Sequence, residues 1–337
     1  MTNSEPENFG ADFSDDPWSQ PAPEGVCCKD GVCMMVGTDL GDQLRFYVGD
    51  ENVFANAPLS GHTTFKIGGP ADWLVTPQSA GDVRYVVQCC REHEAPLHVI
   101  GLGSDLLVAD AGLRGVVLKL AENLSGITVE GTCITAEAGA SNAAVAEAAC
   151  AAGLAGYEFA SGIPGTIGGA AIMNAGAYDG EFAQVARSLT CLTPEGDVVE
   201  VSAEEADWGY RHSMMDERGY IVLAATLQLS EGDPAAIRSR MDDLRERRES
   251  KQPLEMPSAG STFKRPEGHF AGKLIQDASL MGYAVGGAQV STKHAGFVVN
   301  AGGASAADVR QLIADVQERV LSESGVKLEP EVRMWGF

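Results

Sequence analysis

From about Phe54 onward, apolar positions alternate between short β-rich runs and longer helical stretches. Ser79 and Asp82 stand as an N-cap and its partner three residues on. Val83, Val86, Val87 and Cys90 mark one face of the helix they open, and Pro96 lies beyond its end. The runs Leu97–Ile100, Leu106–Val108 and Val116–Leu118 are continuously apolar and separated by glycine turns, which predicts buried strands. Ile127–Val129 and Cys133–Ala136 flank Glu130–Gly131–Thr132 as a hairpin, and Ser141 caps an alanine-rich helix that stops at Gly153. Strands near 188–193 and 198–201 straddle Pro194–Glu195–Gly196–Asp197. Asp233–Pro234 opens a charged helix to about Ser250, with Ile237, Met241 and Leu244 inward. The last helix starts at Ser305, with Asp308 three residues later. Val309, Leu312, Ile313, Val316 and Val320 line its apolar face, and Gly325 closes it. The pattern shows no repeat and no coiled coil.

The 337 residues allow two or three domains, and 45% hydrophobic content supplies a sizeable core. No apolar run approaches the roughly 20 residues that span a bilayer. The acidic start, Met-Thr-Asn-Ser-Glu-Pro-Glu, lacks the apolar stretch of a secretory signal, so a soluble, cytoplasmic protein is expected. The net charge of −23 disfavours nucleic acid as a partner. Up to Asp42 the chain holds nine acids against Lys29, so this segment carries −8 of that charge. Its low periodicity predicts a disordered or loosely packed arm over residues 1–45. Of the eight cysteines, Cys89, Cys90 and Cys150 fall in helical patterns as small apolar residues. Cys27, Cys28 and Cys33 cluster without a histidine or a second pair, so no metal site is expected.

Two glycine-rich stretches carry candidate chemistry. Gly101–Leu102–Gly103–Ser104–Asp105 follows one strand and enters the next. Its glycines admit close backbone approach, and its successive N–H groups can form an anion nest. It is not a dinucleotide fingerprint, because Leu106 holds the third glycine position and no helix follows; a plain tight turn also explains it. The second stretch runs from Ser161 through Gly162–Ile163–Pro164–Gly165, Gly168 and Asn174 to Gly176. So many glycines weaken regular structure, and amides pressed against a pyrophosphate account for that better than packing does. Tyr210–Arg211–His212–Ser213, Ser258–Ala259–Gly260–Ser261–Thr262–Phe263–Lys264 and Leu328–Glu329–Pro330–Glu331–Val332–Arg333 add an arginine, a hydroxyl and a carboxylate. Singly, each also reads as a surface arginine, a serine turn and an edge-strand acid.

In order along the chain, these stretches resemble the UDP-N-acetylenolpyruvoylglucosamine reductase family. So do Thr63–Thr64–Phe65–Lys66–Ile67–Gly68–Gly69–Pro70, Ala271–Gly272–Lys273–Leu274–Ile275 and Lys293–His294–Ala295–Gly296–Phe297. The resemblance covers roughly residues 54 to 336. It implies an α+β fold: a two-part FAD-binding domain of the vanillyl-alcohol-oxidase type, then a C-terminal α/β substrate domain. The expected boundaries are 46–234, divided near 105, and 235–337. It implies that Gly101, Gly103, Ser104, Asp105, Gly162, Ile163, Pro164, Gly165, Gly168, Asn174 and Gly176 hold FAD non-covalently. NADPH is the implied co-substrate, and a UDP-sugar enolpyruvyl ether the implied substrate. Arg211, Ser261 and Glu331 match the family's catalytic positions, with Ser261 as general acid and Glu331 as a hydrogen-bond donor kept protonated by burial. Lys251, Lys264, Arg265 and Lys273 are the expected cations for the diphosphate and carboxylate. The short Ser261–Ala271 segment resembles the family type without a long inserted substrate loop. Asp105 stands where the family usually has asparagine. An oxidase on the same fold often tethers FAD through His or Cys, and neither occurs in the two glycine-rich stretches.

Overall fold

The computed structural model describes residues 39–337, together with the backbone of a hairpin, β1 (Val26–Lys29) and β2 (Val32–Met35). The expectation of a loose arm, and the cysteine cluster in it, otherwise lie outside the described residues.

The first unit contains α1 (Leu40–Val48), β3 (Val53–Pro58), β4 (Pro70–Val75), α2 (Ala80–Glu92), β5 (Leu97–Ile100), β6 (Leu106–Val108) and β7 (Leu113–Lys119). Its sheet order is β3-β4-β7-β5, with β7 parallel to both of its neighbours. Ser79 and Asp82 close the expected capping box on α2, whose Val83, Val86 and Cys90 are buried. Two boundaries differ from expectation. The arm was expected to reach residue 45, yet Asp39 caps α1 through the Asp42 N–H, and Leu44 and Val48 pack against Val83, Val86 and Val116. The first part was expected to end near residue 105, but β7 lies at the centre of its sheet, so the unit runs to at least Lys119.

Leu44 is fully buried. Leu44→Ala should therefore destabilise the protein by about 2–5 kcal/mol through the cavity left behind. The check is a lower urea midpoint at an unchanged m-value.

The middle unit contains β8 (Ile127–Glu130), β9 (Cys133–Glu137), α3 (Asn142–Ala151), α4 (Ile167–Ile172), β10 (Ala186–Leu192), β11 (Val198–Ser202), α5 (Met214–Arg218), β12 (Ile221–Gln228) and α6 (Pro234–Lys251). Its antiparallel sheet runs β11-β10-β12-β9-β8. Ile237 and Met241 of α6 pack with Val145, Ala149 and Tyr157 in this unit's core. The helix expected to open the C-terminal domain at 235 therefore packs on the middle unit.

The last unit contains β13 (Ser258–Ser261), α7 (Ala271–Asp277), β14 (Ala284–Val285), β15 (Ala288–Val290), β16 (Phe297–Asn300), α8 (Ala306–Ser324) and β17 (Arg333–Trp335). Four of its strands form the sheet β13-β16-β15-β14, covered by the apolar face expected of α8. The fifth strand, β17, leaves that sheet and pairs in parallel with β6, Arg333 opposite Leu106 and Trp335 opposite Val108. Asp110, just past β6, accepts from the Ala306 and Ala307 N–H groups at 2.8 and 3.0 Å and so caps α8. These two contacts clasp the last unit to β6 and the turn after it.

Candidate active site

The loop from Gly101 to Asp105 links β5 to β6. Gly103 has φ +61°, and a Cβ there would stand 2.4 Å from the His62 carbonyl oxygen, so only glycine fits. Among the described residues, none of the backbone N–H groups from Gly101 to Asp105 finds a protein acceptor. The loop from Gly162 to Thr166 abuts it: Ser104 Oγ donates to the Pro164 carbonyl at 3.0 Å, and the Gly101 Cα faces the Thr166 side chain. The two stretches expected to share one ligand thus lie edge to edge. Three expected cofactor residues are engaged by the protein itself. The Gly168 N–H donates to Ala138 O at 2.9 Å, and Gly176 packs against Gly180 O. Buried Asn174 donates to Gly209 O at 3.2 Å and accepts from the Ala183 N–H at 2.9 Å. Its side chain therefore braces the turn that carries Arg211.

That turn, closed by Gly209 and His212, places Arg211 at φ +55°, a left-handed conformation that costs about 1–3 kcal/mol for a non-glycine residue. Arg211 Nε donates to Glu331 Oε1 at 2.6 Å, and Tyr210 Oη donates to Glu331 Oε2 at 3.3 Å. Both oxygens of Glu331 therefore accept. Arg211 and Glu331, expected to flank the substrate carboxylate, contact each other directly. The Glu331 N–H donates to Thr262 O at 2.8 Å and the Lys264 N–H to Glu329 O at 2.9 Å, so residues 262–264 run antiparallel to 329–331. Ser261 ends β13 beside this pairing, exposed. The three expected catalytic residues, distant in sequence, are thus gathered at one seam. The side chains of Arg211 and Glu331 are only 21% and 11% exposed. Burial opposes the guanidinium's charge, but the charge and hydrogen bond of Glu331 outweigh it and hold the Arg211 pKa above its usual value. Burial first, and then the charge of Glu331, push Asp105 up to about 7 against the pull of Arg333 and Arg211.

Tyr210 also accepts from the Arg265 N–H at 3.2 Å, and opens onto a cavity of about 530 Å³ lined by Lys264, Arg265, His269, Lys327 and Glu329. Lys264 and Arg265 are thus together. Lys251 ends α6, and Lys273 pairs with Asp277 on α7; neither lines this cavity. Two positions went unpredicted. Tyr210 has no spacing signal of its own beyond standing next to Arg211. Arg248, on the charged α6, donates to the Gly162 carbonyl and braces the second glycine loop, although a helix of that composition reads as a solvated face.

Residues 71–202 match the FAD binding domain family, and residues 252–335 match the C-terminal domain of UDP-N-acetylenolpyruvoylglucosamine reductase. The chain is 50% identical to the reductase of that name from Clostridium perfringens over 292 residues, covering 87% of this chain and 95% of the relative. The chain belongs to the UDP-N-acetylenolpyruvoylglucosamine reductase family. A second family member, from Lachnoclostridium phytofermentans, is 51% identical over 87% of this chain and 96% of its own. The crystal structure of the reductase from Thermus caldophilus superposes with a TM-score of 0.72 at 36% identity, covering 82% of this chain and 97% of that one. The fold is accordingly the α+β arrangement of an FAD-binding part followed by the family's C-terminal domain. Among the described residues, no helix is long and apolar enough to cross a membrane.

Proposed function

We propose that this reductase uses NADPH and non-covalent FAD to reduce UDP-N-acetylenolpyruvoylglucosamine to UDP-N-acetylmuramate, a peptidoglycan precursor, in the cytoplasm. The observation that carries the proposal is the Arg211–Glu331 pair, held by β17 against the loop whose N–H groups lack protein acceptors. Five adjacent backbone donors fit a pyrophosphate, which takes several N–H bonds at once. The Gly101–Asp105 and Gly162–Thr166 loops would hold FAD, which would supply hydride transfer from NADPH to the methylene carbon of the enolpyruvyl ether. The protein's share is electrostatics and proton placement. As charge builds on the substrate carboxylate, Arg211 lies ready to receive it. Glu331 and the Tyr210 ring, 4.9 Å from the Arg211 Cζ, keep that guanidinium in place. Ser261 then delivers a proton to the alpha carbon. Lys264 and Arg265, in the cavity beside Tyr210, supply local cations for the diphosphate, offsetting the overall charge of −23.

The purified protein should absorb as a flavoprotein, bleach with NADPH without oxygen, and recover its colour with the enolpyruvyl substrate. Recovery with oxygen alone would favour an oxidase, and a colourless protein that takes up no FAD ends the reading. The glycine loops give a sharper test. Gly165 has φ +130°, and a Cβ there would stand 3.1 Å from Ser104 Oγ. Gly165→Val should lower the flavin-to-protein absorbance ratio severalfold while circular dichroism stays close to the parent's.

A further inference from the structure

Three carboxyl groups and two guanidinium groups meet where β6, β17, α5 and the Gly209–His212 turn converge. Arg211 is committed to Glu331 at 2.6 Å, with Tyr210 on the other oxygen. Arg333 is committed to Asp216, one nitrogen on each carboxylate oxygen, at 2.9 and 2.5 Å. Asp105 is the third acid. Its carbonyl accepts from the Arg333 N–H at 3.0 Å, which fixes its place at the start of β6. Its side chain is partly buried, and the charges that act on it are Glu331 and Arg333, on the last segment, and Arg211, on the turn. Among the described residues, no hydrogen bond or ion pair engages its carboxyl.

Full ionisation would leave this seam with one negative charge beyond its two cations. A partly desolvated carboxylate without a partner relieves that penalty by binding a proton. Glu331 and Asp216 each already accept from a guanidinium, so the proton falls to the acid that has none. We propose that Asp105 is a positioning residue that holds the resting site's proton, leaving Glu331 to orient Arg211. The upward push on Asp105 to about 7, from burial first and the charge of Glu331 second, agrees with this assignment. The inference rests on the reading of Arg211 as the cation that receives the substrate carboxylate. A neutral Asp105 leaves that cation's field undiminished, whereas an ionised one weakens it for an incoming anion.

Infrared difference spectroscopy of the FAD-loaded protein tests this without turnover, so its outcome is separate from that of the reductase reading. A protonated-carboxyl C=O band should titrate near neutral pH in the parent and be missing in Asp105→Asn. Asp216→Asn frees Arg333 for Asp105 and should move the midpoint at least about one unit lower, a tenfold change in proton affinity. The second variant keeps the test open if the first does not fold. Stability supplies another readout. Asp105 goes from 3.8 to about 7 on folding, so the folded form binds the proton more tightly. Its stabilising contribution is present below the lower value and lost as pH rises through the upper one. The Tm of Asp105→Asn should therefore gain on the parent's across that window. A band that survives Asp105→Asn, or disappears instead in Glu331→Gln, overturns the proposal, as does a midpoint that Asp216→Asn leaves unmoved.

Discussion

Ser261→Ala should leave reduction of the flavin by NADPH at its normal rate and slow reoxidation by the enolpyruvyl substrate by about 10²–10⁴, the usual contribution of a general acid. The first half-reaction needs no proton at the substrate's alpha carbon, so a proton donor there has no part in it. Ser261 is exposed at the end of β13, with its neighbour Thr262 paired to the Glu331 backbone. That position gives it access to a ligand without a packing duty to lose. Ser261→Cys should recover part of the rate, because a thiol is the stronger acid. Stopped-flow traces of the two half-reactions decide the matter: equal losses in both would make Ser261 a turn-former and leave the proton without its proposed donor.

Arg211→Ala should reduce the same reoxidation step by about 10²–10³, the scale set by removing one preorganised charge-stabilising donor. Two effects add in this variant. The substrate carboxylate loses its cation, and Glu331, 11% exposed, is left without the guanidinium that it pairs with. Arg211→Ala/Glu331→Gln should therefore be less impaired than the sum of the single variants predicts. Arg211→Lys keeps the charge but loses the Nε–H that reaches Glu331, and should fall between parent and alanine. Additive losses in the double variant would count against a coupled pair.

The sequence was most legible where local rules are strong. Ser79 with Asp82 and Ser305 with Asp308 both form the capping boxes that their spacing predicts, and Val309 through Val320 face the core as their period requires. The assignment of elements to units failed because an inward-facing stripe does not say which core it meets. Helix α6 follows the middle sheet in sequence and also packs on it, and a charged composition gives no sign of that. Helix α1 went unseen because its nine residues sit between glycines in an acidic stretch, so Leu44 and Val48 stood without a readable period. At the site, Arg211, Ser261 and Glu331 were legible through family resemblance rather than spacing. The roles of Tyr210, Arg248 and Asn174 depend on the tertiary placement of turns, which no local pattern encodes.

The parallel pairing of β17 with β6 also orders events during synthesis. Leu106–Val108 emerges from the ribosome long before its partner Arg333–Trp335 is made. Until Arg333–Trp335 has been made and has left the ribosome, one edge of β6 stays open, and Glu331 cannot reach the turn that holds Arg211. The glycine loop and its carboxylate become a single structure only once that late strand is free to pair. The newborn protein thus passes through a state with an unpaired strand edge, the kind of surface that chaperones shield and that other chains can capture.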